Sequence, residues 1–432
     1  MDEQLKLKRA TYHLWTFFTS KLISSFGAQV YAFAISFYIL ELTGSATNFA
    51  MNLICSILPR TIVAPFVGYL ADNFSRKRII IFSQIGSSLA IAGLLLYSLS
   101  FGLSLPAIYI TTCLLSLAST FTTVTFTSSI SGLIDEKRIQ RAMSLNQMSL
   151  SFASIGSPAI GGILYGTVSM PVFLTIYLSA SIIAVILEST MNFKLYAKRK
   201  KVAVDEQKES MWQSMKAGFS YIKMQQILMI IISISLIINF LFGAFQVGYS
   251  FILIEKLKMP SEHYGLTEGA WAIGMLLLSL YFSMGKEVKY PLLTSKRGII
   301  CMGITMGAVA LPLLVELSYN MMFIFYIAIM FTFGCLGMLV NTPIGVMMQK
   351  TIDDDYKGRV FSVLETMAMA LMPLGTVLYG FLYDYFPAQW VLIISSVILI
   401  IVVLYLARPS IVRMAYPELD KKRVKVEAET IS

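Results

Sequence analysis

The sequence predicts an all-α membrane protein of twelve transmembrane helices, arranged as two six-helix halves of related build. Three observations carry this. Hydrophobic residues make up 56% of the 432 and charged residues only 13%, against about 25% charged in soluble globular chains, and the mean hydropathy is +0.72. Apolar runs of about 18 or more residues recur along nearly the whole chain, each long enough to cross a ~30 Å hydrocarbon core as a helix. Finally, 30 of the 34 Lys and Arg residues fall in segments that such a model puts on one side of the membrane, the side that cytoplasmic loops occupy.

Taken in order, the spans run about 14–40, 47–70, 79–100, 104–131, 142–166 and 172–193, then about 227–254, 264–284, 298–315, 321–347, 361–383 and 390–407. The first begins soon after Lys6, Lys8 and Arg9, and it is too long for the apolar part of a cleaved signal, so the N-terminus is expected to be retained. The chain therefore divides into an N-terminal half 1–193, a polar and basic central loop 194–226, a C-terminal half 227–407 and a tail 408–432. Within the central loop, Ser210 to Lys223 has Met211, Trp212, Met215, Phe219 and Ile222 on one helical face, the pattern of an amphipathic surface helix. The loops after spans 2, 4, 6, 8 and 10 and both termini carry the cations, so both termini are expected to be cytoplasmic. Only Lys256 and Lys258 fall in outer loops, and Lys21 and Arg60 lie within spans.

An internal repeat supports the two halves. Ile134, Asp135, Arg141 and Ser144 recur as Ile352, Asp353, Arg359 and Ser362, at an offset of 218. Further on, Pro158 and Leu164-Tyr165-Gly166 recur as Pro373 and Leu378-Tyr379-Gly380. Parallel repeats about an axis along the membrane normal are one of the builds that secondary transporters use.

The stretch Gly68 to Arg78 joins spans 2 and 3 and combines a lone acid with three consecutive cations. Gly68 permits a close backbone approach, Asp72 lies at the water boundary where it can cap a helix or pair with a cation, and Arg76, Lys77 and Arg78 mark the cytoplasmic side. This stretch resembles the loop between helices 2 and 3 of major facilitator superfamily transporters, Gly-x-Leu-Ala-Asp-Arg-x-Gly-Arg-Lys. Gly68, Leu70, Ala71, Asp72, Arg76 and Lys77 match it, while Asn73 and Ser75 replace an Arg and a Gly. The resemblance implies a major facilitator fold whose halves rock about a central cavity, with Gly68, Asp72, Arg76 and Lys77 forming a conformational latch in which Asp72 holds against span 11.

Span 5 carries Gly156, Pro158, Gly161 and Gly162. Small residues four apart let helices pack backbone to backbone, and an internal proline frees a carbonyl and bends the helix. The run from Ala153 to Gly162 resembles the span 5 motif of the superfamily's exporters, with Ala153 and Ser157 at positions where that motif has Gly. Gly265 and Gly269 on span 8 offer a comparable face. The N-terminal stretch from Lys21 through the Thr43-Gly44-Ser45 turn resembles the bacterial branch that includes macrolide efflux proteins and siderophore exporters.

Ionisable groups inside spans cost on the order of 3 kcal/mol each unless paired or wetted. Arg60 lies 12 residues before Asp72, about 18 Å along a helix; it either faces a cavity and meets an anionic group, or holds helices together as a fixed ion pair. Lys21 either snorkels to the surface or joins the cavity. Glu365, Glu268 and Glu188 are the candidate proton carriers, since a carboxyl in an apolar cavity exchanges protons more readily near neutral pH; Glu365 is the better candidate because its helix is expected to face the interdomain cavity, and a solvated boundary position is its competing reading. Asn146, Gln147, Gln246 and Asn341 add uncharged polar groups that can line a cavity, together with Asn239.

No phosphate-binding Gly-x-x-x-x-Gly-Lys-Ser/Thr run is present, nor a His-Glu-x-x-His pair, and the four cysteines lie singly on different predicted spans. No ATPase site, metal site, cofactor or structural disulfide is expected, and no nucleophile and base can be assembled into an enzyme site. The net charge of +10 follows the topology rather than a nucleic-acid face. Span 4 lacks the Arg that proton-coupled drug antiporters of the superfamily often carry. What the resemblance implies is export of hydrophobic or amphipathic small molecules of drug or macrolide type, by proton antiport, from a monomer in the bacterial cytoplasmic membrane. Two other readings stand beside it: a dedicated exporter of one metabolite such as a siderophore, and a membrane sensor or scaffold that does not transport. Its partners are then a small-molecule substrate, protons and the lipid bilayer.

Overall fold

A computed structural model of the chain describes residues 3–135, 138–193, 195–196, 211–284, 288–352, 360, 363, 367 and 371–416. Six helices come first: α1 (Glu3–Thr43), α2 (Ala46–Asn73), α3 (Arg76–Phe101), α4 (Leu105–Leu133), α5 (Ile139–Thr167) and α6 (Met170–Ser189). They are followed by α7 (Met211–Met224), α8 (Gln226–Ser250) with a π-helical turn Phe251–Lys256, α9 (Ser261–Met284), α10 (Pro291–Ala308) and α11 (Tyr319–Thr351). The described chain ends with α12 (Met372–Tyr385), α13 (Ala388–Leu406) and the short α14 (Pro409–Ala415). Among the described residues there is no strand, and ten helical spans have the length and apolarity to cross a membrane. The predicted span at 47–70 lies within α2, a helix of 28 residues. That at 361–383 overlaps α12, and most of its first half falls outside the described residues.

The chain forms two compact units, Met1–Asp205 with Leu253–Gly269, and Glu206–Ile252 with Ala270–Ser432. In the first, α1 packs on α5 and α6, α2 on α4, and α3 on α4 and α6. In the second, α8 packs on α12 and α13, and α10 on α11 and α13. The pairings α1–α5, α1–α6, α3–α4 and α3–α6 thus recur as α8–α12, α8–α13, α10–α11 and α10–α13, so the sequence repeat is also a repeat of packing. Lipid tails are as apolar as leucine, so close backbone approach through small residues holds such helices together. A Cβ added to Gly243 on α8 would sit 2.8 Å from the carbonyl carbon of Gly375 on α12.

In the first unit the connections on the side away from the α1 N-terminus are short. Two residues join α1 to α2: Gly44 takes a left-handed φ of 58°, the conformation glycine adopts without strain, and Ser45 caps α2 by accepting from the Asn48 amide at 3.3 Å. Gly102 to Ser104 join α3 to α4, and Val168 and Ser169 join α5 to α6. Prolines in the first turns of α4, α6, α10 and α12 start helices where their missing N–H goes unused.

Apolar cores gather at one end of each unit. In the first, Leu14, Phe17, Ile80, Phe126 and Ile130 pack with Met191. In the second, α7 departs from the expected surface helix. It forms over Met211–Met224, but Ile222 is wholly buried with Leu228, Ile231, Leu292 and Met348, and Phe219 packs against them. Its C-terminal apolar residues are thus satisfied by protein. The side chains of Met211, Trp212 and Met215 lie outside the described residues.

Candidate functional site

In the first unit, α1 presents Ser20 and Lys21 to α6 and α4. Both are buried, at 0% and 8% exposed, and Glu188 on α6 is 1% exposed. Ser20 Oγ donates to Glu188 Oε1 at 2.7 Å, and Lys21 Nζ donates to Thr123 Oγ1 at 3.2 Å. The donors Ser20 and Lys21 are adjacent on α1, so Glu188 and Lys21 belong to one buried cluster. The second carboxylate oxygen of Glu188 has no hydrogen-bond partner among the described residues. Burying such groups is costly without compensation. Glu188 also sits in the last turn of α6, where the helix dipole disfavours an acid, so helix stability does not explain its presence. Glu188 is thus a buried carboxylate with one satisfied oxygen, and Lys21 a buried cation held by a neutral hydroxyl.

The polar line continues along the same helices. Gln84 Nε2 on α3 donates to Ser24 Oγ on α1 at 3.2 Å, and Ser88 and Ser181 share a hydrogen bond of 2.7 Å between α3 and α6. Sequence reading missed Ser20, Ser24, Gln84, Ser88, Thr123 and Ser181. Single hydroxyls in membrane spans are common, and only the packing shows that these face one another. His13 is buried too, with neither ring nitrogen partnered among the described residues.

The other predicted residues are placed as follows. Arg60 is exposed on α2, without an ion-pair partner among the described residues. On α5, Asn146 is half-buried and Gln147 exposed. In the second unit, Gln246 has its side-chain carbonyl buried and unpartnered among the described residues, Asn341 is exposed and bonds back to the Gly337 carbonyl at 2.9 Å, and Asn239 bonds the Ser235 carbonyl at 2.9 Å. Glu268 is half-buried and accepts from Tyr264 Oη at 3.4 Å. Glu365, and the side chains of Gly68 and Asp72, lie outside the described residues. Arg76 Nη1 reaches the Ser128 carbonyl at 2.6 Å, near the C-terminal end of α4 where a cation is favoured; Lys77 beside it is half-buried.

The span 5 residues are packed on two sides. A Cβ at Gly156 or Gly161 would come within 3.0 Å of the rings of Phe26 and Phe33 on α1. On the other side, added Cβ atoms at Gly162 and Gly265 would run into the backbone at Ser261 and Pro158 respectively. Ser261 Oγ donates to the Gly162 carbonyl at 3.0 Å. The segment Leu253–Gly269, which belongs to the first unit, therefore lies on α5 with no room for a side chain, and Pro158 sits inside that contact. Among the described residues no cluster suits a metal ion, and the four cysteines are free thiols.

The model of the Major Facilitator Superfamily matches residues 17–375. The chain belongs to this superfamily. It is a multi-pass membrane protein with the major facilitator fold, in a family of transporters whose substrates are small molecules. Among similar proteins, the macrolide efflux protein A of Streptococcus pyogenes is 24% identical over 409 residues, covering 93% of this chain and 96% of that one. The staphyloferrin A transporter of Staphylococcus aureus is 23% identical over 380 residues, covering 86% and 89%. The multidrug efflux pump Tap of Mycolicibacterium fortuitum is 21% identical over 372 residues, covering 84% and 87%. In fold, the chain is similar to the nucleoside transporter NupG, with a TM-score of 0.69 at 13% identity over 91% of this chain and 99% of that one. The inward-facing bacterial homologue of ferroportin gives 0.65 at 14% identity, over 92% and 98%.

Proposed function

We propose that this major facilitator protein exports hydrophobic or amphipathic small molecules of drug or macrolide type by alternating access, driven by proton antiport. The observation that carries the reading is similarity to a macrolide efflux protein over nearly the full length of both chains, and the relative named as a multidrug pump supports it. In this reading the halves 1–193 and 227–407 alternate about the loop 194–226, with both termini, the tail 408–432 included, in the cytoplasm of a bacterial cell. Gly68, Asp72, Arg76 and Lys77 latch one state, and the packing of Gly156, Pro158, Gly161 and Gly162 stabilises it. The transporter works as a monomer.

Glu188 is the proton carrier of choice. An ionised Glu188 attracts Lys21; a proton on it removes that attraction and leaves a net positive charge in the buried cluster. A conformation that separates the two groups is thus favoured by protonation, and proton binding then biases one state over another, which is what coupling requires. Arg60, Lys21, Asn146, Gln147, Gln246 and Asn341 are assigned to the substrate path, and Glu268 and Glu365 remain secondary carriers.

The relative named as a staphyloferrin A transporter favours a second reading, dedicated export of one anionic metabolite, with Arg60 meeting its carboxylates. One experiment separates these. Accumulation of a fluorescent macrolide and a panel of lipophilic dyes is measured in cells expressing the protein, with and without a protonophore, and with Glu188→Gln and Arg60→Ala. The proposal expects lower accumulation that the protonophore reverses and that Glu188→Gln abolishes while substrate binding persists. No change across the panel refutes drug export and directs the search to a metabolite missing from the medium. Absence of any transported solute leaves a sensor or scaffold.

A further inference from the structure

One face of α1 carries a groove that the transport reading does not use. At the N-terminal end, Lys8, Tyr12, Trp15 and Thr19 line a pocket of about 500 Å3 together with Leu187 of α6. Further along the same face a cavity of about 600 Å3 opens between α1, α5 and α6, lined by Leu22, Phe26, Phe152, Ile160, Ile176 and Ala180, among others. The α1 positions 8, 12, 15, 19, 22 and 26 are three or four apart, so they form one stripe along the helix. The two pockets differ in chemistry. The first has hydroxyls, an interfacial Trp and Tyr, and the exposed Lys8; a second cation adjoins it, the Arg141 guanidinium 5.8 Å from the centre of the Trp15 ring. The second is lined almost wholly by apolar side chains within spans, and Phe152 is 53% exposed and Ile176 44% exposed at its rim.

We propose that this groove holds one anionic phospholipid, its phosphate at Arg141 and Lys8 and an acyl chain in the apolar cavity. Geometry and charge both point to a lipid. Trp and Tyr concentrate at the headgroup level of a bilayer, which sets the membrane boundary near Tyr12 and Trp15. From Trp15 to Phe26, level with the middle of the cavity, is 11 residues, or about 16 Å of helix, close to the ~15 Å of hydrocarbon in one leaflet. A chain anchored at Trp15 therefore ends inside the cavity. The cations complement the headgroup: neither has an acidic partner among the described residues, whereas neighbouring Arg138 is already committed to Asp135 at 2.5 Å.

The test uses the full-length protein purified in detergent and stripped of lipid, then titrated with palmitoyl-oleoyl phosphatidylglycerol or phosphatidylcholine and read by native mass spectrometry. Phosphatidylglycerol should bind more tightly by about thirty-fold, from roughly five-fold per cation near an anionic headgroup. Lys8→Gln with Arg141→Gln should remove that preference, and Ala180→Phe, which fills the cavity, should weaken both lipids. The two cationic side chains are exposed, so their replacement leaves the fold intact and the result readable even if Ala180→Phe misfolds. Equal binding of the two lipids, a preference that survives the double variant, or thermal stabilisation by inorganic phosphate equal to that by phosphatidylglycerol would each overturn the proposal. The first outcome would mark the lipid as part of an unspecific annulus, and the second would place the anionic headgroup away from Lys8 and Arg141.

Discussion

Replacing Glu188 by glutamine tests whether the buried lysine and glutamate work as a unit. Glutamine preserves the shape of the side chain and an oxygen that accepts from Ser20, but it leaves the Lys21 charge with only the Thr123 hydroxyl at 3.2 Å. Removing one of two buried opposite charges costs about 3–5 kcal/mol when they pair closely, and the low end applies here because the direct partners of Lys21 and Glu188 are Thr123 and Ser20. Lys21→Met should cost a similar amount, about 3 kcal/mol, by stranding the carboxylate. Replacing both leaves no uncompensated charge, and such exchanges are often close to neutral. The double variant should then be more stable than either single one, with a coupling of at least about 2 kcal/mol. Unfolding in mixed detergent micelles, followed by tryptophan fluorescence, measures all four corners of the cycle. Effects that add to within about 0.5 kcal/mol, as independent sites do, would refute the coupling of Lys21 to Glu188 and with it the proposed proton switch.

Two further outcomes follow from packing. Gly162→Ala should lower stability by about 1–3 kcal/mol through overpacking, because the new methyl meets the Ser261 backbone. Gly93→Ala, where nothing lies within 4 Å, should raise stability by up to about 1 kcal/mol; thermal denaturation of the pair side by side checks the contrast. In the second unit, Tyr383 Oη donates to the Ala244 carbonyl at 2.8 Å, and Tyr383→Phe should lose about 1 kcal/mol, read in the same assay.

Much of the architecture was legible before any coordinates. Apolar runs report the length of the spans, which depends on composition rather than on helix rotation. The recurrence of Pro158 and Leu164-Tyr165-Gly166 as Pro373 and Leu378-Tyr379-Gly380 anticipated the repeated helix pairings. At Gly162 and Gly265 the neighbouring backbone leaves no room for a side chain, a constraint that an absent side chain imposes whatever surrounds it. The buried cluster was not legible. Lys21 and Glu188 were each visible as charges in spans, but they are far apart in the chain, and in an all-apolar helix no periodicity says which way a lone charge points. The serines and threonine that hold them were invisible for the same reason. Hydropathy marks where the first span starts and not where its helix does: α1 begins at Glu3, because backbone hydrogen bonding continues past the apolar run. The docking of Ile222 on Leu228 and Met348 was hidden because an apolar stripe reads alike whether it meets lipid or protein.

The turns of the first unit have a practical consequence. Between α1 and α2, α3 and α4, and α5 and α6 the chain spends two, three and two residues, and one of these, Gly44, is fixed in a left-handed conformation. That side of the unit offers almost no chain for a protease, an antibody or an inserted tag to grip, and no loop long enough to fold over a departing solute. Under the proposed export, a molecule released there would meet helix ends and water directly, and discrimination between substrates would have to be completed within the spans. Reporter groups and fusion partners belong at the opposite side.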